Sequence, residues 1–248
     1  MNLDDAHRRL RDFWDADART YDDTASHAVA DPVEAAVWRA LMTRVLPPAP
    51  ARILDVGAGT GAMSVLAASL GHRVTALDLS DGMLGRLRDK AADRGYDIEI
   101  VNAPADEPPP GPFDVIMERH VLWTLPDPPK ALAALRAVAP NGRLVSFEGM
   151  WGQSGLAHQA RRRAGKLVRQ ALRVADDHHR HYEPELLAQI PFAGGTTAAG
   201  LLAAIDAGGW RNARLERMRD VEWARSLQER PILRPFEGVP LFVIVADA

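Results

Sequence analysis

The chain contains no cysteine. That removes disulfides, thiolate zinc sites, iron–sulfur clusters and any cysteine nucleophile. It also suits a reducing cytoplasm, the expected location. No run of about 18 apolar residues occurs, so no membrane span and no membrane partner are expected. The first residues, MNLDDAHRRLRDFWD, are charged and amphipathic and lack the apolar centre of a signal peptide. There is little net charge: 30 Lys and Arg against 33 Asp and Glu leave −3 at pH 7. The whole chain therefore has no electrostatic reason to bind nucleic acid. A local basic run does exist at Arg161, Arg162, Arg163, Lys166, Arg169 and Arg173. No aromatic side chains interleave with it, as they would on an RNA-stacking surface. What is present is an ordinary globular composition, 47% hydrophobic and 25% charged over 248 residues. That is enough for one α/β domain carrying an insertion.

Hydrophobic periodicity marks an N-terminal helical segment over 1–50. Leu10, Phe13 and Trp14 share helical spacing, and Val33, Val37, Leu41 and Val45 form a second run. The second run opens on Asp31-Pro32, an N-cap followed by proline at the first helical position. The period then changes. Residues 52–56, RILDV, are a short apolar run ending in glycines, which reads as a buried strand. Further strands are expected at 74–79, 98–101, 113–117, 144–147, 215–223 and 241–246. Helices are expected at 62–70, from Ser80 to Arg94, from Asp127-Pro128 onward and at 197–207. Such alternation makes βαβ crossovers and a mostly parallel sheet with helices on both faces. Residues 150–192 break the rhythm and read as a helical cap inserted after strand five. That position is the carboxyl edge, where open α/β sheets bind ligands.

Between the first strand and the next helix stands Asp55-Val56-Gly57-Ala58-Gly59-Thr60-Gly61. Glycines here let the backbone turn sharply and approach a ligand. Gly57, Gly59 and Ala62 formally satisfy the dinucleotide pattern G-x-G-x-x-G/A, so the loop alone is ambiguous. Asp78 ends the second strand. An ionised carboxylate only accepts hydrogen bonds, which suits the two hydroxyls of a ribose.

The segments ILDVGAGTG and VTALDLSDGML resemble the first two motifs of class I S-adenosylmethionine-dependent methyltransferases. FWDADARTYDD upstream resembles the N-terminal segment of their small-molecule branch. VNAPADEPPPGPFDVIMERHVLWTLPDP and APNGRLVSFEG resemble its third to fifth strands. The resemblance covers about residues 10 to 150 and the last two strands. It implies a single domain over 1–248 with a Rossmann-like, seven-stranded, mostly parallel α/β sheet. It also implies S-adenosylmethionine as cofactor and S-adenosylhomocysteine as product. Asp55, Gly57, Gly59 and Gly61 would face the methionine portion, with Tyr21 over it. Asp78 would take the ribose, Leu79 and Met83 the adenine face, and Asn102 and Ala103 the adenine edge. Asn102 stands where the family more often has aspartate. Glu118 joins the cofactor set. Asp55 is typical of this family, whereas dinucleotide enzymes usually carry an apolar or small residue there. No Tyr-x-x-x-Lys pair accompanies the loop.

Methyl transfer is an in-line displacement, so the protein's main task is alignment; a base helps only when the acceptor must first lose a proton. The fourth strand delivers Arg119, His120 and Trp123 to the acceptor side. His120 is the candidate base, or else a hydrogen-bonded histidine that shapes the pocket. The cap offers Trp151, His178, His181 and Tyr182 as acceptor contacts. The histidines lack ligand spacing with any further donor, so no metal is expected. A small-molecule N or O acceptor is the leading expectation, with specialised metabolism as the setting. A peptide or protein amine comes second, RNA third, and a non-catalytic cofactor-binding scaffold is the alternative of a different class.

Overall fold

A computed structural model describes residues 2–152, 156–172, 182–236 and 238–248. The chain opens with α1 (Leu3–Asp17), a single 3-10 turn (Tyr21–Asp23), α2 (Ala25–Ala28) and α3 (Pro32–Val45). Asp31 caps α3: its carboxylate accepts the N–H groups of Val33 and Glu34, both at 2.9 Å. Pro32 occupies the first turn, where a missing N–H costs nothing. Strand and helix then alternate through β1 (Arg52–Val56), α4 (Ala62–Ser69), β2 (Arg73–Asp78), α5 (Asp81–Arg94), β3 (Ile98–Asn102) and β4 (Val115–Arg119). A 3-10 turn (Leu122–Thr124), α6 (Pro128–Ala137) and β5 (Arg143–Gly149) follow. Residues after β5 include α7 (Leu156–Ala171) and α8 (Pro184–Leu187), and the chain ends with α9 (Ala198–Ala207), β6 (Arg211–Arg217), α10 (Arg219–Gln228) and β7 (Leu241–Asp247).

The seven strands make one sheet in the order β3-β2-β1-β4-β5-β7-β6. β7 runs antiparallel to both β5 and β6, and the other pairs are parallel. This is the expected mostly parallel α/β sheet. Both faces of the parallel strands are covered, so consecutive residues feed different cores. Ile53, Val74, Val115 and Val145 pack with Trp38 of α3, Leu66 of α4, Leu87 of α5 and Val221 of α10. Leu54, Leu77, Ile116 and Leu144 pack with Leu132 of α6, Ile205 of α9 and Trp210. The two buried indoles each have an acceptor: Trp38 donates to Glu34 Oε1 at 3.2 Å and Trp210 to the Leu132 carbonyl at 3.0 Å. A third cluster joins Ala6 and Leu10 of α1 to Tyr182, Leu186 and Ile190.

One expected strand is corrected. The run 215–223 is strand only to Arg217, and α10 begins at Arg219. Met218, Val221 and Ala224 are buried at three-residue spacing, which is helical rather than alternating. Trp223, read as a strand residue, is 56% exposed. Arg217 fixes the corner by donating to Glu222 at 3.0 Å, and Glu222 accepts the Leu241 N–H at 2.8 Å. Among the described residues no helix is long and apolar enough to cross a membrane.

Candidate functional site

The order β3-β2-β1-β4 means that the chain leaves β1 toward one sheet edge and β4 toward the other. A crevice opens at the carboxyl ends of β1 and β4, the topological switch point. The loop after β1 takes left-handed conformations at Gly57 (φ +59°), Gly59 (φ +56°) and Gly61 (φ +87°). The three glycines have different reasons. A Cβ at Gly57 would lie 2.3 Å from Val121 Cγ2, where the loop presses on the turn after β4. A Cβ at Gly61 would lie 2.5 Å from Leu87 Cγ, where α4 meets α5. At Gly59 the nearest atom to such a Cβ is 3.9 Å away. The loop's N–H groups point inward: Ala58 N donates to the Leu77 carbonyl (3.1 Å), Gly61 N to the Ala58 carbonyl (2.9 Å) and Gly59 N to Asp78 Oδ2 (2.8 Å).

Two carboxylates stand beside this loop. Asp78 Oδ1 accepts the Ser80 N–H at 2.8 Å while its other oxygen holds Gly59. Burial pushes its carboxyl up to about 6, against the pull of those two N–H groups. Asp55 Oδ2 accepts from Ser64 Oγ at 2.5 Å, and burial pushes its carboxyl up to about 7. The N-terminal segment clamps onto the same loop. Thr60 Oγ1 donates to Asp22 Oδ1 at 2.7 Å, and Asp22 pairs with Lys90 at 2.7 Å. Asp15 Oδ1 accepts from Ser80 Oγ (2.5 Å) and from the Gly82 N–H (2.9 Å).

The cleft has two parts. The wider spans ≈ 740 Å³ of space, part of it open to solvent. One wall carries Asp78, Leu79, Met83 and Ala103, and His7, Leu10 and Trp14 of α1 cover it. The turn after β4 contributes His120, Val121 and Thr124. The deeper part, ≈ 300 Å³, is bounded by Tyr21, Asp55, Gly57, Gly59, Thr60 and Arg119. Of the residues singled out from sequence, the cleft thus brings together Tyr21, Asp55, Gly57, Gly59, Asp78, Leu79, Met83, Ala103, Arg119 and His120. Gly61 lies outside the lining, against Leu87. Asn102 is also outside, donating through Nδ2 to the Asp78 carbonyl at 3.0 Å. Trp123, Trp151 and Tyr182 stand one layer back. Trp123 meets Trp151 edge-on at 5.3 Å and Tyr182 at 5.7 Å, while Tyr182 packs on Phe13 at 4.3 Å. His178 and His181 lie outside the described residues. Among those described, no group of three His, Cys, Asp or Glu side chains is placed to hold a metal.

Beneath His120 lies a buried acid pair. Glu118 of β4 accepts the Val121 N–H at 2.9 Å, and Glu148 of β5 accepts the Leu122 N–H at 3.1 Å. Burial pushes both carboxyls up, helped at Glu148 by the charge of Glu118 and at Glu118 by that of Asp55. Glu148 Oε2 is 3.6 Å from His120 Nδ1. His120 itself sits in a left-handed conformation (φ +59°) and donates its N–H to the Phe147 carbonyl at 3.0 Å. Burial, with the positive charge of Arg119, holds its imidazole well below the ordinary range. Glu118 therefore lies below the cleft rather than along it. Glu148, Asp15, Asp22 and Thr60 were not foreseen. Asp15 and Asp22 fall inside the quoted FWDADARTYDD, which was the available signal for them.

A family profile of the methyltransferase domain matches residues 31–190. The demethylmenaquinone methyltransferase of Clavibacter sepedonicus is 41% identical over 118 residues, covering 45% of this chain and 47% of that protein. The chain thus spans less than half the length of the curated relatives it matches. Among solved structures, the Burkholderia thailandensis 1,6-didemethyltoxoflavin-N1-methyltransferase, with 1,6-didemethyltoxoflavin and S-adenosylhomocysteine bound, has a TM-score of 0.60 at 19% identity. That match covers 100% of this chain and 90% of the other. The [4+2]-cyclase SpnF has a TM-score of 0.64 at 14% identity, over 96% of this chain and 94% of its own. Structural likeness at such identities establishes the fold alone, and a fold hosts more than one reaction. The family profile, which spans more than half of the chain and takes in the whole glycine loop, makes the protein a member of the class I S-adenosylmethionine-dependent methyltransferases.

Proposed function

We propose that the chain is an S-adenosylmethionine-dependent methyltransferase whose acceptor is a small molecule methylated on nitrogen or oxygen. The observation that carries this reading is the pairing of an inward-turned glycine loop with the Asp78 carboxylate. Because the Ala58 and Gly59 N–H groups are taken up by the Leu77 carbonyl and Asp78, and that of Gly61 by the loop's own Ala58 carbonyl, these three do not serve as a cradle for a pyrophosphate. The loop suits a nucleoside ligand without phosphate. Each oxygen of Asp78 accepts one backbone N–H and keeps lone-pair capacity for a ribose hydroxyl. Leu79, Met83 and Ala103 offer an apolar slot for a purine, and the open space over Gly59 admits the rest of the ligand.

When bound, S-adenosylmethionine supplies a methyl group on a sulfonium, already an excellent leaving group. The chain's part is to hold the acceptor in line and to keep water out. His120 projects from the turn after β4 into the cleft wall and is neutral near pH 7. It can accept a proton from a hydroxyl or phenol acceptor. An amine acceptor that is already neutral needs no base. Support for a small acceptor comes from the cover over the cleft. Leu10 of α1 both lines the cleft and packs under Tyr182, Leu186 and Ile190. Demethylmenaquinone and 1,6-didemethyltoxoflavin, named for the relatives, are small molecules too. Cytoplasmic residence belongs to the same reading and rests on the cysteine-free sequence.

Calorimetry with S-adenosylhomocysteine and NAD tests the cofactor half, with S-adenosylhomocysteine expected to bind more tightly. Tighter binding of NAD overturns it. Transfer of labelled methyl from S-adenosylmethionine to a panel of small phenols, hydroxy acids and amines tests the acceptor half. Label found only on added peptide would overturn the small-molecule assignment.

A further inference from the structure

A neutral histidine carries its proton on one ring nitrogen and leaves the other bare. For His120 the choice decides what the cleft meets. A ring protonated on Nδ1 turns a bare Nε2 outward as a base, whereas a ring protonated on Nε2 turns out a donor. Whatever faces the other nitrogen makes the choice.

Glu148 is that neighbour. It is fully buried, and its Oε2 stands 3.6 Å from His120 Nδ1, while the imidazole is one-third exposed. The ring thus bridges the buried acid and the cleft that it lines. The backbone fixes this placement. A φ of +59° is one that a residue with a Cβ rarely adopts, and the His120 N–H is held by the carbonyl of Phe147, the residue before Glu148. Glu148 is pinned as well, since its Oε1 accepts the Leu122 N–H at 3.1 Å. Its Oε2 is buried and, among the described residues, meets no hydrogen-bond donor. A buried oxygen in that state calls for one. The 3.6 Å gap to Nδ1 is longer than a formed hydrogen bond, as contacts between a base and the group that orients it commonly are before a substrate is bound.

The other neighbour of Glu148 is Glu118, close enough to share a hydrogen bond with it. Two acids side by side in a buried place retain a proton between them rather than ionise together. That proton lies on the Glu118 side, so the His120 side of Glu148 remains an acceptor. Burial, with Arg119, Arg225 and His27 nearby, keeps the imidazole itself uncharged.

We propose that Glu148 is the positioning residue of His120: it holds the ring's proton on Nδ1 and so presents Nε2 to the acceptor as a bare base. The inference rests on the proposed methyl transfer and gives it a direction, toward acceptors that bring a hydroxyl. The hydroxyl proton goes to Nε2 as the acceptor oxygen bonds to the methyl carbon and the electron pair of the carbon–sulfur bond returns to sulfur. The imidazolium so formed faces Glu148 through its Nδ1–H.

Nitrogen-15 NMR of the ring nitrogens reads the tautomer directly and needs no acceptor. The full chain is labelled at its 8 histidines and measured at neutral pH, and the His120 signals are those that vanish in His120→Gln. Wild type should show His120 protonated on Nδ1 and bare on Nε2. Glu148→Gln should reverse this. The Leu122 N–H keeps the amide oxygen, which turns the amide NH2 toward Nδ1 and makes that nitrogen accept. If the glutamine variant fails to fold, Glu148→Met, which removes the acceptor, should shift His120 toward the Nε2–H form that free histidine prefers. Wild-type His120 protonated on Nε2, or on both nitrogens, would overturn the proposal. So would an Nδ1–H form that persists in the folded Glu148 variant, because another group would then hold the proton. Calorimetry of the same wild-type sample with S-adenosylhomocysteine keeps the underlying reading separate. No binding would overturn the cofactor assignment whatever the tautomer, and normal binding with the wrong tautomer would overturn this inference alone.

Discussion

Asp78 ties one oxygen to the loop after β1 and the other to the start of α5, so a single side chain sets the spacing between glycine loop and ribose slot. Replacing it with alanine removes a charged acceptor, and hydrogen bonds to charged groups contribute about 1.5–3 kcal/mol. S-adenosylhomocysteine affinity should fall on the order of tenfold to a hundredfold, with a native circular-dichroism spectrum. A folded Asp78→Ala protein that binds as tightly as wild type would remove the ribose assignment. Asp55 gives a prediction of a different kind. Its carboxyl is pushed up to about 7 in the ligand-free cleft, so near neutrality a large share of molecules carry it protonated. The ammonium of the cofactor's methionine portion, which Asp55 is expected to face, would favour the ionised form. Binding should release protons near pH 7, and affinity should rise from pH 6 to 8. Asp78, pushed up to about 6, acts in the same direction at the lower end. Calorimetry in buffers of different ionisation enthalpy reads the proton release directly. Asp55→Asn should reduce it; proton uptake instead would contradict the argument.

The loop after β1 and the turn after β4 are two elements in contact, and their glycines separate structure from binding. Gly57→Ala meets a left-handed φ, which costs a residue with a Cβ roughly 1–2 kcal/mol. It also drives that Cβ to 2.3 Å from Val121. Gly59→Ala meets the same backbone cost with no neighbour nearer than 3.9 Å. Gly57→Ala should therefore lower the melting temperature clearly more than Gly59→Ala, which should fold and lose affinity because its methyl enters the cleft. Thermal melts of both variants decide it, and the reverse order would be the wrong one. These elements also show how far a sequence can be read. β1, the glycine loop and α5 were legible because each is local: an apolar run, glycines, then a serine whose hydroxyl accepts the Met83 N–H at 3.1 Å. Asp78 at the end of β2 was legible for the same reason. Glu148 was not. It looks like one more residue of an apolar strand, and its meaning comes from the register of β5 on β4, which places Phe147 opposite Arg119 and so Glu148 beside the turn that carries His120. Cross-strand register is a property of the assembled sheet. α10 was misread for a related reason: apolar residues between Leu215 and Trp223 fit both periods until burial selects one. Trp123, Trp151 and Tyr182 carry the right residue types but pack on each other and on α1, a long-range arrangement that spacing along the chain does not encode.

Across the whole molecule, the carboxyl edge of the sheet holds four buried acids, Asp55, Asp78, Glu118 and Glu148, and burial raises all of them. In the unfolded chain they titrate near 4. Above that, the folded state keeps protons that the unfolded state has released, so stability falls as pH rises toward the folded-state values. Asp55, at about 7, and Glu148, raised well above its ordinary range, carry this fall past neutrality. His72 and His120 are held down by burial and act oppositely. Their contribution grows as pH rises and is nearly complete about one unit above the unfolded histidine value of about 6.5. The window that isolates the acids is therefore about pH 7.5 to 8.5. The ligand-free protein should melt at progressively lower temperature across it. Glu148→Gln keeps a side-chain oxygen for the Leu122 N–H and has no charge to bury, so its curve should be flatter and should rise relative to wild type toward pH 8.5. A wild-type melting temperature that climbs across this window, or a glutamine variant that follows the wild-type slope, would show that these acids ionise freely in the folded state and that their burial does not govern the molecule's response to pH.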